Sequence, residues 1–334
     1  MHLCGRFLKL AVAAAFCCCA AACIYDYDNC PPALDLTIIG DWSHAPEANP
    51  DGMAYIFFPE DGEAAWRFDF PGMEAGTVEL GVGDYRFLCF NDDTYNVRFR
   101  GEDSYDDYEA YTSETDLVSL PDGGGAGRSP QRQAGGGERV VRAPDMMWGC
   151  AYGNFRLWYD GVKYTLSPRP EDESDPVFSG ERVLTALLRP LTAHYSCRIE
   201  DVENLDGVRW LGAAFSGVAG SLKLASGVKG DYPATVTFNA FKADATLISG
   251  DFFTFGVPDA SDAPNTLYMF VVLKDGRRFS YEFNVTEQVR EAPDPMNVTV
   301  IVKGLKLEES GADDGGAFDV SVDGWTTVTI NINS

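Results

Sequence analysis

Short apolar runs that alternate with polar residues dominate the first third of the chain. In "AWRFDF", Trp66, Phe68 and Phe70 fall on one face of an extended segment, and Arg67 and Asp69 fall on the other. Successive side chains of a β-strand point to opposite faces, so this period of two predicts a half-buried strand. The segments "TVEL" and "NVRF" repeat the pattern. We therefore expect strands rather than helices in this region.

The segment "DYRFLCF" is apolar on both faces except at Arg86, which is typical of a central strand. Asp61-Gly62 and Gly81 to Gly83 interrupt such runs and favour turns. These patterns predict an all-β fold in which residues 23–120 form an N-terminal β-sandwich, with strands beginning near residue 31.

The second half alternates in the same way. "TLYMFVVL" and "RFSYEFNV" are joined through Lys274-Asp275-Gly276-Arg277, which strongly predicts a hairpin. "HYSCRIEDV" and "NVTVIVK" predict further strands, while short helices are expected only at Thr286 to Arg290 and within Trp210 to Ala225. Residues 146–334 are therefore expected to form a second, C-terminal β-sandwich in tandem with the first.

Residues 121–145, "PDGGGAGRSPQRQAGGGERVVRAP" with its flanks, are rich in glycine, proline and arginine. Such a composition buries too little apolar surface to offset its ordering entropy, so we expect a flexible linker or loop at the domain boundary. One alternative remains open. The segment could be a long insertion within the first domain, with the "MMWGC" run (Met146 to Cys150) pairing back.

The last stretch, "GWTTVTININS", predicts a strand with Val328, Ile330 and Ile332 on one face. A strand without a following turn can close the sheet of its own domain. It can also be donated to the open edge of another subunit, because an unpaired edge is a template for pairing. Both roles stay open from the sequence.

Residues 1–22 are typical of a signal peptide. Arg6 and Lys9 precede the uncharged run Leu10 to Ala22, which is too short for the about 20 residues of a transmembrane helix. Small residues lead into Cys23, which predicts a lipidation site of the bacterial lipoprotein type. Acyl chains at Cys23 would hold the protein on a membrane.

The chain is strongly acidic, with 51 Asp and Glu against 26 Lys and Arg and a formal net charge of −25. Such a surface repels phosphate backbones, so nucleic acid is not expected as a partner. The acidic residues are spread along the chain and favour a solvated surface.

Four cysteines follow Cys23, namely Cys30, Cys89, Cys150 and Cys197. In an exported protein they permit disulfides in three connectivities, but a buried free thiol is equally plausible for Cys89. No CxxC is present, and His44 and His194 lack ligand spacing, so neither a metal site nor a cofactor is expected.

No arrangement of residues predicts catalysis, and we do not expect an enzyme. Ser216 lacks the glycine of a nucleophile elbow, and only His44 and His194 could serve a triad. Paired carboxylates such as Asp92 and Asp93 are expected by chance in so acidic a chain and favour solvated turns.

Ten segments in order along the chain carry a family resemblance, including "CIYDYDNC", "YIFFPEDG", "GDYRFLCFNDDT", "MMWGC" and "APDPMNVTVIVKGLKL". They resemble a lipoprotein family of gut Bacteroidota whose domain has no known function and which is similar to the FimB/Mfa-like fimbrial anchor proteins of the fimbrillin superfamily. The resemblance implies two transthyretin-like β-sandwiches and a lipid anchor at Cys23. It also implies a place at the base of a pilus, or as its accessory subunit, with strand exchange between subunits. Asp26 and Asp28, directly behind Cys23, resemble the surface-export signal of such lipoproteins and favour the outward face of the outer membrane.

Two functions remain as hypotheses. The first is a surface-exposed outer-membrane lipoprotein that anchors or accompanies a fimbria, with pilin-like subunits as partners. The second is a glycan-binding or adhesive surface lipoprotein, for which Tyr105, Tyr108 and Tyr111 would have to form an exposed aromatic platform.

Overall fold

The computed structural model describes residues 33–117, 133–134, 138–159, 164–168, 182–230, 232–311 and 325–330. In the first half the strands are β1 (Leu34–Asp41), β2 (Gly52–Pro59), β3 (Trp66–Pro71), β4 (Gly76–Leu80), β5 (Gly83–Asn91), β6 (Val97–Arg100), β7 (Glu109–Thr112), β8 (Gln133–Ala134), β9 (Glu138–Arg142), β10 (Trp148–Tyr159) and β11 (Tyr164–Pro168).

The second half continues with β12 (Val183–Leu187), β13 (Arg189–Pro190), β14 (Ala193–Glu200), β15 (Val208–Ala219), β16 (Ser221–Lys223), β17 (Pro233–Phe238), β18 (Phe241–Lys242), β19 (Ile248–Thr254), β20 (Thr266–Leu273), β21 (Arg278–Asn284), β22 (Asn297–Lys303) and β23 (Trp325–Ile330). A 3₁₀ turn spans Leu205–Gly207, and the helix α1 spans Thr286–Arg290.

One hydrophobic core lies in the sandwich formed by the sheets β12-β1-β4 and β11-β10-β5-β2-β3. Its aromatic centre is Phe57, whose ring centroid lies 5.0 Å from that of Phe87 and 6.2 Å from that of Phe155. Alternation along β1 buries Leu36 and Ile38 against these rings.

A second core lies in the sandwich formed by the sheets β18-β19-β14-β22 and β23-β21-β20-β15-β17-β9-β8. Phe215 of β15 and Phe252 of β19 meet here with ring centroids 5.4 Å apart. Tyr195 of β14 approaches both rings at 5.5 Å.

A third core joins the two sandwiches beneath the small sheet β16-β7-β6. Phe58, Phe90 and Tyr108 from the first half contact Leu222 and Phe255 from the second half within this one cluster. The sandwiches therefore share buried apolar surface.

The all-β prediction is confirmed, as are the helix at Thr286–Arg290 and the hairpin of β20 and β21. Gly276 in that hairpin has φ of +83°, a conformation that glycine adopts without steric cost. The short helix allowed within Trp210 to Ala225 is wrong, because β15 and β16 occupy this region.

The expected boundary near residue 145 differs from the observed sheets. β10 pairs with β5 and β13, and β12 pairs in parallel with β1, so the strands from β10 to β13, residues 148–190, belong to the first sandwich. The alternative in which residues 146–150 pair back agrees with this pairing. Within the expected linker, β9 joins the second sandwich because Val140 and Val141 are buried there. The change in composition thus did not mark a single boundary between two consecutive domains.

Candidate functional site

The last described strand, β23, lies at one edge of the seven-stranded sheet. It pairs in parallel with β21, with Val328 opposite Tyr281 and Ile330 opposite Phe283. Val328 and Ile330 are half-buried against the second core. This strand closes the sheet of its own chain.

Few buried contacts hold β23 in the sheet. None of its six residues is fully buried, whereas the neighbouring β21 buries four of seven. The Ser280 hydroxyl and the Thr327 hydroxyl form a hydrogen bond of 3.0 Å across the pair, and the Trp325 ring meets Phe270 at 5.6 Å. Loss of β23 would expose the backbone groups of β21, so this edge can pair with an added strand.

Four other predicted site residues, Cys23, Asp26, Asp28 and Ile332, lie outside the described residues. Within the described part of the chain, no helix is long and apolar enough to cross a membrane.

The proposed aromatic platform is not formed. Tyr105 and Tyr108 are only 8% and 1% exposed, because both rings pack edge-on against Phe58. The Tyr105 hydroxyl donates to the Tyr152 carbonyl at 2.8 Å. Only Tyr111 of the three is half-exposed. The prediction that these three rings form an exposed platform, which the adhesive hypothesis required, is therefore wrong.

A cleft of about 720 Å³ lies where the two halves meet, lined by residues that include Asn96, Arg142, His194, Trp210 and Asp251. His194 Nε2 lies 3.5 Å from Asp251 Oδ1, and its ring is 5.4 Å from that of Phe253. No local pattern in the sequence predicts this cleft, because β14, β15 and β19 come together only in the folded sandwich.

Carboxylates singled out in the sequence hold loops in place. Asp93 accepts hydrogen bonds from the backbone of Asp51 at 2.7 Å and from the Asn91 amide at 2.7 Å. Burial raises the pKa of Asp92, which pairs with Arg67 at 3.4 Å. In the part of the chain that the structure describes, no three His, Cys, Asp or Glu side chains form a metal-binding group.

Two cysteines meet on neighbouring strands within one sheet of the first sandwich. Cys89 of β5 lies directly opposite Cys150 of β10, so the two side chains lie on the same face of the sheet. Burial raises the pKa of Cys89 well above its ordinary value of 9.0. Cys197 is buried in the second core, and all three are free thiols.

Comparison with known proteins gives one family and one curated relative. A family profile described as "Domain of unknown function (DUF5119)" matches residues 17–239. A Bacteroides ovatus protein, provisionally named as the fimbrium anchoring subunit Fim4B, is 26% identical over 117 residues, which make up 35% of this chain. The matched region spans 31% of that relative's length.

Two solved structures from Bacteroides ovatus, both provisionally described as adhesins, are similar to the chain. The first has a TM-score of 0.58 at 18% identity, with 86% of this chain and 95% of the other covered. The second has a TM-score of 0.51 at 9% identity, with 85% and 94% covered. At such identities the likeness shows a common fold.

Proposed function

Because the chain belongs to the DUF5119 family and its curated relative carries the name of a fimbrium anchoring subunit, we propose that it anchors or accompanies a fimbria. The resemblance predicted from the sequence motifs is confirmed at the level of the family. In this proposal acyl chains on Cys23 hold the protein in the outer membrane, and Asp26 and Asp28 direct it to the cell surface. Pilin-like subunits are the partners.

The observation that carries the proposal is the weakly buried edge strand β23. It covers β21 with half-buried and exposed residues, so the cost of replacing it is low compared with that of any central strand. Assembly then proceeds either by release of β23 into a neighbour or by entry of a neighbour's strand beside β21. Both routes need β23 to leave its own sheet.

A disulfide between β21 and β23 tests this step. Ser280 and Thr327 are register partners with hydroxyls 3.0 Å apart, so the double variant Ser280→Cys/Thr327→Cys can tie the strand to its own sheet. The oxidised variant should fail to co-isolate fimbrial subunits from surface membranes, and a reducing agent should restore recovery. Each single variant serves as a matched control.

Two outcomes separate the parts of the proposal. If the oxidised double variant recovers the same subunits as the unchanged chain, strand exchange at β23 is wrong while anchoring stands. If the unchanged chain recovers no fimbrial subunit, anchoring itself is wrong. Cys23→Ala should leave the protein in the soluble fraction, and retention on membranes would contradict the lipid anchor.

A further inference from the structure

A second cleft, here called the basic cleft, lies beside β9 and β17, toward the end of the seven-stranded sheet that is opposite β23. It is lined by Arg100, Tyr111, Arg139, Lys223, Lys229 and Tyr232, among others, and has a volume of about 450 Å³. That volume falls within the range of ~300–1,000 Å³ that small-ligand pockets occupy. β17 and β9 form one wall, and in the seven-stranded sheet they lie away from β23.

The floor of the basic cleft is the sheet β16-β7-β6, whose register brings distant residues into rows. Arg100, Glu109 and Lys223 form one row across the three strands, and Tyr111 and Ser221 are partners in the next. The residues between them, such as Ala110 and Leu222, are buried in the third core. Alternation therefore turns the row residues to the open face, on a floor fixed from below.

The charge of this lining opposes that of the whole chain. Four cations line the basic cleft against the carboxylates Glu109 and Glu114, in a protein whose net charge is −25. Glu109 is only 14% exposed and pairs with Arg100, with Nε and Oε2 2.5 Å apart.

Each of the two lysines in the basic cleft forms an ion pair with an exposed carboxylate that a ligand could displace. Lys223 Nζ lies 3.1 Å from Asp107, and Lys229 Nζ lies 3.3 Å from Asp259. These carboxylates are 66% and 74% exposed and do not line the cleft. Solvent-exposed ion pairs contribute little to stability, so a ligand anion can take the place of either carboxylate.

Aromatic rings complete the basic cleft. Tyr111 lies beneath the Arg100 guanidinium, with 5.0 Å from the guanidinium carbon to the ring centroid. Tyr232, which directly precedes β17, is 82% exposed, which is unusual for so large a ring in a folded chain. A sugar ring has an apolar face that packs on an aromatic ring and hydroxyl groups that hydrogen-bond to polar side chains.

We propose that the basic cleft binds an acidic saccharide, with the ligand's carboxylate on Lys223 and Lys229 and its ring against Tyr232 or Tyr111. Long polyanions fit poorly, because the rest of the surface repels them. A short saccharide with isolated carboxylates meets only the local cations. This site goes beyond the fimbrial role and does not depend on β23.

Calorimetric titration of the full chain with trigalacturonate, glucuronic acid disaccharide and sialyllactose tests the proposal. At least one should bind, and its methyl ester, which lacks the charge, should bind at least tenfold more weakly. Lys223→Gln/Lys229→Gln should weaken binding at least tenfold, and Tyr232→Ala several-fold. Lys306→Gln, at a more exposed lysine that pairs with Glu203 and does not line the cleft, is the control and should change nothing.

Three results would overturn the proposal. The first is a failure of all three saccharides to bind, and the second is equal binding of acid and ester. The third is binding of a peptide with a free C-terminal carboxylate in preference to every saccharide. The disulfide variant Ser280→Cys/Thr327→Cys should keep full saccharide affinity, which separates this site from strand exchange.

Discussion

At the scale of single residues, the hairpin between β20 and β21 shows how one turn also secures a distant segment. Asp275 accepts hydrogen bonds from the backbone of Arg277 at 3.1 Å and from the backbone of Gly311 at 2.6 Å. Its carboxylate also pairs with the Arg277 side chain at 2.8 Å. The turn was predictable from "KDGR". The hydrogen bond from Gly311 to Asp275 was not, because the two residues are far apart in sequence and no local pattern relates them.

Asp275→Asn should lower stability in a pH-dependent way. The Arg277 side chain and the backbone donors hold the pKa of Asp275 at about 2, below its ordinary value of 3.8. The carboxylate therefore stabilises the fold above pH 3.8 and loses this effect as the pH falls through 2. We expect a loss of about 1 kcal/mol at pH 7, since water screens the pair. Urea unfolding should show the gap between the two proteins closing from pH 4 to pH 2, and a gap that widens there would contradict the assignment.

Gly276 offers a separate test of backbone strain. A Cβ at this position meets no atom within 4 Å, so any cost of a side chain comes from φ alone. Gly276→Ala should lower the free energy of unfolding by about 1 kcal/mol, and Gly276→Asn should cost less because asparagine tolerates this region. Equal losses for the two variants in chemical denaturation would show that the turn relaxes instead.

At the scale of elements, alternation predicted individual strands but not their partners. Runs such as "AWRFDF" and "RFSYEFNV" have one buried face, and this pattern is visible locally. β15 has eight consecutive buried residues at its C-terminal end, so its sequence has no period of two and resembles a buried helix. The row Arg100, Glu109 and Lys223 depends on pairing across more than a hundred residues, which no local pattern encodes.

The pairing of β5 with β10 also determines which cysteines can form a disulfide bond. Opposed residues of an antiparallel pair have Cα atoms about 4.5–5.5 Å apart, within the range a disulfide spans. Oxidation of the folded protein with diamide should therefore link Cys89 to Cys150 and leave Cys197 reduced, as peptide mass spectrometry would reveal. A Cys150→Ser variant should form no such link, and a bond from Cys197 to either partner would contradict the observed sheets.

At the scale of the whole molecule, the third core makes the two sandwiches dependent on each other. β16, which follows β15 of the second sandwich, pairs with β7 and buries Leu222 among side chains of the first half. The chain also crosses between the sandwiches repeatedly, because β9 joins the second one before β10 returns to the first. Sequence alone placed one boundary where the fold has several crossings.

This arrangement predicts that the two sandwiches unfold together and that Leu222 couples them. Calorimetry of the unchanged chain should give a single transition, since unfolding either sandwich exposes the third core. Leu222→Ala removes buried methyl groups and should cost about 2–5 kcal/mol, lowering or splitting that transition. Val300→Ala, deep in the second core, is the control and should lower the transition without splitting it. The unchanged chain could instead show two separate transitions, of which Leu222→Ala shifts only one. That result would mean that the two sandwiches unfold independently in spite of the third core that they share.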